Sequence, residues 1–123
     1  MNEYKLGVIE GRFADLIWEN APIPSGELVR LCEQELNWKK STTYTVLRRL
    51  CERGLFRNEN GIVAPLMTKE QYETRCSQTF VQETFSGSLP RFLAAFTGGG
   101  KLGKREAEAL KKLIDESTDP NKE

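Results

Sequence analysis

Residues 41–65 read STTYTVLRRLCERGLFRNENGIVAP, and the fold follows from how this stretch divides. Thr43, Val46, Leu47 and Leu50 recur at the three- and four-residue spacing of one helix face. Ser41, Tyr44, Thr45, Arg48, Arg49 and Glu52 are left outside that stripe. Ser41 or Thr42 carries a short hydroxyl suited to capping, so the helix is predicted from there to about Arg53. Gly54 stands where a helix C-terminus favours a left-handed residue. Leu55-Phe56-Arg57 and Ile62-Val63-Ala64 are short enough for strands, and Asn60-Gly61 between them is a hairpin turn signal. Pro65 ends the second strand.

Upstream, Ile9, Phe13, Leu16 and Ile17 repeat at helical spacing, with Trp18 following and Asn20-Ala21-Pro22 as the stop. Ser25 is placed to cap a second helix that carries Leu28, Leu31, Cys32 and Leu36. Asn37-Trp38-Lys39-Lys40 is the turn into the third. Trp18 and Trp38 read as core residues. Downstream, Thr68 caps a long helix to about Phe85, and Ser86-Gly87-Ser88 breaks it. Leu89, Phe92, Leu93 and Phe96 form a short apolar face, Gly98-Gly99-Gly100 a joint, and Ala107, Leu110, Leu113 and Ile114 a last amphipathic helix from about Lys104 to Glu116.

Three helices, a hairpin and then further helices make a mainly α chain. The expected architecture is a winged helix-turn-helix over residues 1–66, followed by a helical domain over 67–123. The later helices have apolar stripes with little in the chain to cover them. Such faces are commonly buried against a second copy, so a homodimer is expected.

The chain has 123 residues, 38% of them hydrophobic, and a formal net charge of zero. Overall charge therefore gives no support to nucleic-acid binding, but its distribution does. From Lys39 to Arg57 the cations Lys39, Lys40, Arg48, Arg49, Arg53 and Arg57 face Glu52 alone. Histidine is absent, which removes the commonest general base and metal ligand. The three cysteines, Cys32, Cys51 and Cys76, have no short-spacing pair, so neither a disulfide framework nor a metal site is expected. No phosphate-binding glycine loop or nucleophilic triad can be assembled. The expectation is a protein without catalytic residues or cofactor. With no signal peptide and no apolar run of membrane-spanning length, it is expected in the cytoplasm.

The third helix and its hairpin point to double-stranded DNA. Its first turns would enter the major groove, where hydroxyls bond phosphates or base edges and a threonine methyl meets the thymine methyl. The candidate DNA-binding residues are Lys39, Lys40, Ser41, Thr42, Tyr44, Thr45, Arg48 and Arg57. Arg49 is better placed to brace the fold. Arg57 sits beside Glu59, which weakens any phosphate contact at the wing. That acidic residue and the zero net charge motivate an alternative, a winged-helix protein-interaction module without DNA binding.

Phe13-Ala14-Asp15-Leu16-Ile17-Trp18, then Trp38, then residues 41–50 with Arg53-Gly54-Leu55, and later Lys101-Leu102-Gly103 with Glu106 to Leu110, stand in an order that spans nearly the whole chain. In this the chain resembles the penicillinase-repressor family of bacterial transcription regulators, which includes methicillin-resistance and copper-homeostasis repressors. The resemblance implies a homodimer that blocks transcription at a palindromic operator, in a setting such as β-lactam antibiotic resistance. It places base reading at Ser41, Thr42, Tyr44 and Thr45. Several members carry a basic residue where this chain has Tyr44, and a tyrosine cannot make a bidentate contact to guanine. In the antibiotic-responsive branch a membrane sensor protease system leads to cleavage at an Asn-Phe bond, matched here by Ala95-Phe96. The copper branch has a C-terminal Cys-x-Cys pair, and this chain has no cysteine beyond Cys76.

Overall fold

The computed structural model describes residues 5–123. Elements follow in the order α1 (Val8–Asn20), β1 (Ile23–Pro24), α2 (Ser25–Leu36), α3 (Lys40–Glu52), β2 (Phe56–Glu59), β3 (Ile62–Pro65), α4 (Lys69–Phe85), α5 (Leu89–Thr97) and α6 (Lys104–Ser117). This is the expected mainly helical chain with a winged helix-turn-helix at its start and helices after it. A two-residue strand, β1, is added to the expected hairpin.

The first core forms where the helical stripes meet the inner face of the hairpin. Phe13, Ile17, Leu28, Leu47, Leu50, Phe56 and Val63 are fully buried. The predicted inward stripe of α3, Thr43, Val46, Leu47 and Leu50, is buried throughout. Ile9 has the right spacing for the α1 stripe but stays exposed in the first turn. Both tryptophans lie at the edge of the core. Trp38 packs on Phe13 with ring centroids 5.2 Å apart. Trp18 packs on Phe56 at 5.3 Å, and its indole N–H donates to the Met67 carbonyl at 3.0 Å.

The sheet order is β1-β3-β2, all antiparallel, with Ile23 opposite Val63 and Asn58 also opposite Val63 on the other side. Asn60 and Gly61 have φ of 52° and 75°, the paired positive values that a tight two-residue hairpin turn requires. Gly54, at φ 84°, makes the left-handed exit from α3.

Packing divides the chain into one unit that runs to Phe80 and another, Val81–Glu123. The division falls inside α4. The beginning of α4 joins the first unit through Tyr72, whose ring lies 5.7 Å from Trp18 and whose hydroxyl accepts the Leu6 N–H at 2.7 Å. Thr68 caps α4 as expected, in a reciprocal box: Gln71 N–H donates to Thr68 Oγ1, and Thr68 N–H to Gln71 Oε1. In the second unit Ser88 caps α5, and Phe92 meets Phe85 edge-on and Phe96 at a tilt, with ring centroids 5.7 and 5.9 Å away. Neither α5 nor α6 has a fully buried residue, and Phe96 and Leu113 are 71% and 58% exposed.

Candidate nucleic-acid interface

The surface of α3 opposite its buried stripe carries most of the residues singled out from the sequence. The helix starts earlier than expected. Lys39 is its N-cap, in extended backbone, and Lys40 is already helical. No side chain caps this end, so Ser41 and Thr42 are exposed first-turn residues rather than caps. The first-turn N–H groups, which have no carbonyl within the helix, are left to an outside acceptor. Lys39 and Lys40 are exposed beside them and form no ion pair among the described residues.

Thr45 is exposed, and its hydroxyl donates back to the Ser41 carbonyl at 2.9 Å. Its proton is spent on the helix, while its lone pairs and methyl stay available. Tyr44 departs from the expectation of an outward residue. It is half-buried against the core, and its hydroxyl donates to Ser25 Oγ at 3.1 Å. Ser25 therefore does not cap α2 with its side chain; Pro24 holds the N-cap position.

The four arginines separate by partner. Arg48 is 75% exposed, with Nε 3.9 Å from the Glu52 carboxylate, itself 71% exposed. Such a pair is weak and easily surrendered. Arg49 Nη1 lies 2.8 Å from Glu10 Oε2 and ties α3 to α1, as a bracing residue should. Arg57 is exposed on β2 and lies 3.7 Å from Glu59 within the wing, so part of its charge is offset locally. Arg53 is the half-buried C-cap residue of α3.

Between α3 and the wing runs an open groove of about 400 Å³, lined by Tyr44, Thr45, Leu47, Arg48 and Cys51 from the helix and Asn58 from β2. Asn58 is not apparent from sequence, because a polar residue inside a short strand gives no periodic signal. Burial, with Glu52 adding to it, pushes the Cys51 thiol up, and burial does the same for Cys32. Among the described residues no group of three or more acids, cysteines or histidines gathers where it could hold a metal ion. Ala95 and Phe96 are exposed near the end of α5, where the Ala95 carbonyl accepts the Gly98 N–H at 3.1 Å.

An exposed helix start flanked by exposed lysines, beside a groove and a wing, is the geometry of a DNA-reading module. The sequence model of the penicillinase repressor family matches residues 6–116, from before α1 into α6. The chain belongs to the penicillinase repressor family. Penicillinase repressors are transcriptional regulators, and membership supports a DNA-binding repressor. No curated protein matches the chain. Among the described residues no helix is long and apolar enough to cross a membrane.

Proposed function

We propose that this member of the penicillinase repressor family acts as a cytoplasmic homodimer that binds a palindromic operator and blocks transcription, in the control of β-lactam resistance. The observation that carries the proposal is the two-faced α3. One face is wholly buried, and the other presents Lys39, Lys40, Ser41, Thr42, Thr45 and Arg48 together. Lys39, Lys40, Arg48 and the first-turn amides would hold phosphates, while Tyr44 and Thr45 would face base edges. Arg57 adds a wing contact to the backbone. The uncovered apolar residues of α5 and α6 support a second copy as their cover. Two α3 helices in one dimer would then enter successive major grooves about one helical turn apart. Ala95-Phe96, exposed near the end of α5, is the candidate cleavage site through which a membrane sensor protease system would release the operator.

The test is fluorescence anisotropy with duplexes from the gene's own promoter, over a range of salt concentrations. An inverted repeat should be bound specifically, with affinity falling steeply as salt rises. Binding that is absent at low salt, or indifferent to salt, would refute the proposal. If charge reversal at Lys39, Lys40 and Arg48 left function intact, the wing and α3 would be a protein-binding surface instead.

A further inference from the structure

Ser25 makes two bonds, one to the wing turn and one to Tyr44, which lines the groove between α3 and the wing. Its backbone N–H donates to the carbonyl of Gly61, in the wing turn, at 2.8 Å. Its hydroxyl oxygen accepts from the Tyr44 hydroxyl at 3.1 Å. Ser25 is half-buried and makes no side-chain cap, so its hydroxyl has no competing duty at the start of α2.

The direction of the Ser25–Tyr44 bond follows from the two hydroxyls. A phenol is the stronger acid, and its oxygen is the poorer acceptor because a lone pair is delocalised into the ring. The tyrosine therefore donates and the serine accepts. Tyr44 is left with acceptor lone pairs and no free proton. In the major groove an acceptor suits the amino groups of adenine N6 and cytosine N4. It is repelled by the acceptor atoms of guanine and by thymine O4.

We propose that Ser25 is a positioning residue for base selection: it accepts the hydrogen bond of the Tyr44 hydroxyl, so α3 selects adenine or cytosine at the base Tyr44 faces. This rests on the DNA-reading role proposed above. An uncharged residue of α2 thereby governs a contact made from α3.

The experiment is selection from a randomised duplex library by the full chain and by Ser25→Ala, Ser25→Thr and Tyr44→Phe, with thermal unfolding of each. Tyr44→Phe marks the base position concerned. There, the wild type should favour adenine or cytosine by about two- to tenfold, the worth of one net hydrogen bond. Ser25→Ala frees the proton and should abolish or invert that preference at unchanged melting temperature. Ser25→Thr keeps the hydroxyl and should keep the preference. A specifically binding wild type that favours guanine or thymine there overturns the inference alone, as does a Ser25→Ala variant with wild-type selection. A wild type that selects no sequence overturns the DNA-reading role and this inference with it.

Discussion

Arg48 and Arg49 are adjacent in sequence but lie roughly 100° apart around α3, and replacing each with alanine should give opposite phenotypes. Arg49 meets Glu10 at 2.8 Å, and the Glu10 side chain is only 24% exposed. At that separation the attraction in a water-like medium is about 1.5 kcal/mol, of which about 0.5–1 survives side-chain ordering and screening. For a small unit this lowers the melting temperature by about 2–8 °C. Arg48, with its partner 3.9 Å away and both side chains exposed, should change stability by less than about 0.5 kcal/mol. Its replacement should register on DNA instead. Removing the cation from one phosphate per protomer lowers the salt exponent by about 0.9, or about 1.8 for a dimer. Between 50 and 200 mM salt, both taken as roughly bracketing the useful range, that is about a twelvefold change in salt sensitivity. Anisotropy titrations and thermal unfolding read the two effects separately. If Arg49→Ala flattened the salt dependence as much as Arg48→Ala, without lowering the melting temperature, the assignment of roles would be wrong.

Three further outcomes are expected. Phe56→Ala removes a fully buried ring that packs on Trp18 and should cost about 3–5 kcal/mol in urea unfolding. The Tyr72 hydroxyl is pushed up to about 12 by burial first and then by its bond with Cys76, so the folded chain keeps a proton that the unfolded chain releases near 10. Stability from this group is full below about pH 10 and is lost as pH rises toward about 12. Tyr72→Phe should make alkaline unfolding less steep over that window, as followed by circular dichroism. Leu113→Glu places a charge on the exposed apolar face of α6 and should turn the proposed dimer into monomer by sedimentation, with much weaker binding to the proposed operator.

The helices are legible in the sequence because their stripes are strong and their ends carry Thr68, Ser88, Gly54 and Gly98. The hairpin is legible from Asn60-Gly61 alone. Strand β1 is not, because two residues ending in proline have no alternation to detect. The departures at Ser25, Ser41 and Thr42 share one cause. A short hydroxyl before an apolar stripe suggests a cap, but Lys39 and Pro24 hold those positions without side-chain bonds. Helix phase places Tyr44 outward, and phase cannot foresee a partner nineteen residues away drawing its ring toward α2. The wing pair Arg57 and Glu59 is visible in the sequence, since alternate strand residues share a face. Asn58, on the opposite face, has nothing to distinguish it until the groove is seen.

Pairing of β3 on both sides has a consequence for association kinetics. A hairpin wing held only by its own turn is a swinging arm that must be stilled each time it meets a target. Here β1 and the Ser25 amide clamp the far strand and the turn to the body of the first unit. The ordering is done during folding, before any encounter, so little entropy is left to lose on contact. A collision then succeeds or fails on orientation alone, and mutations that loosen β1 should slow capture more than they hasten escape.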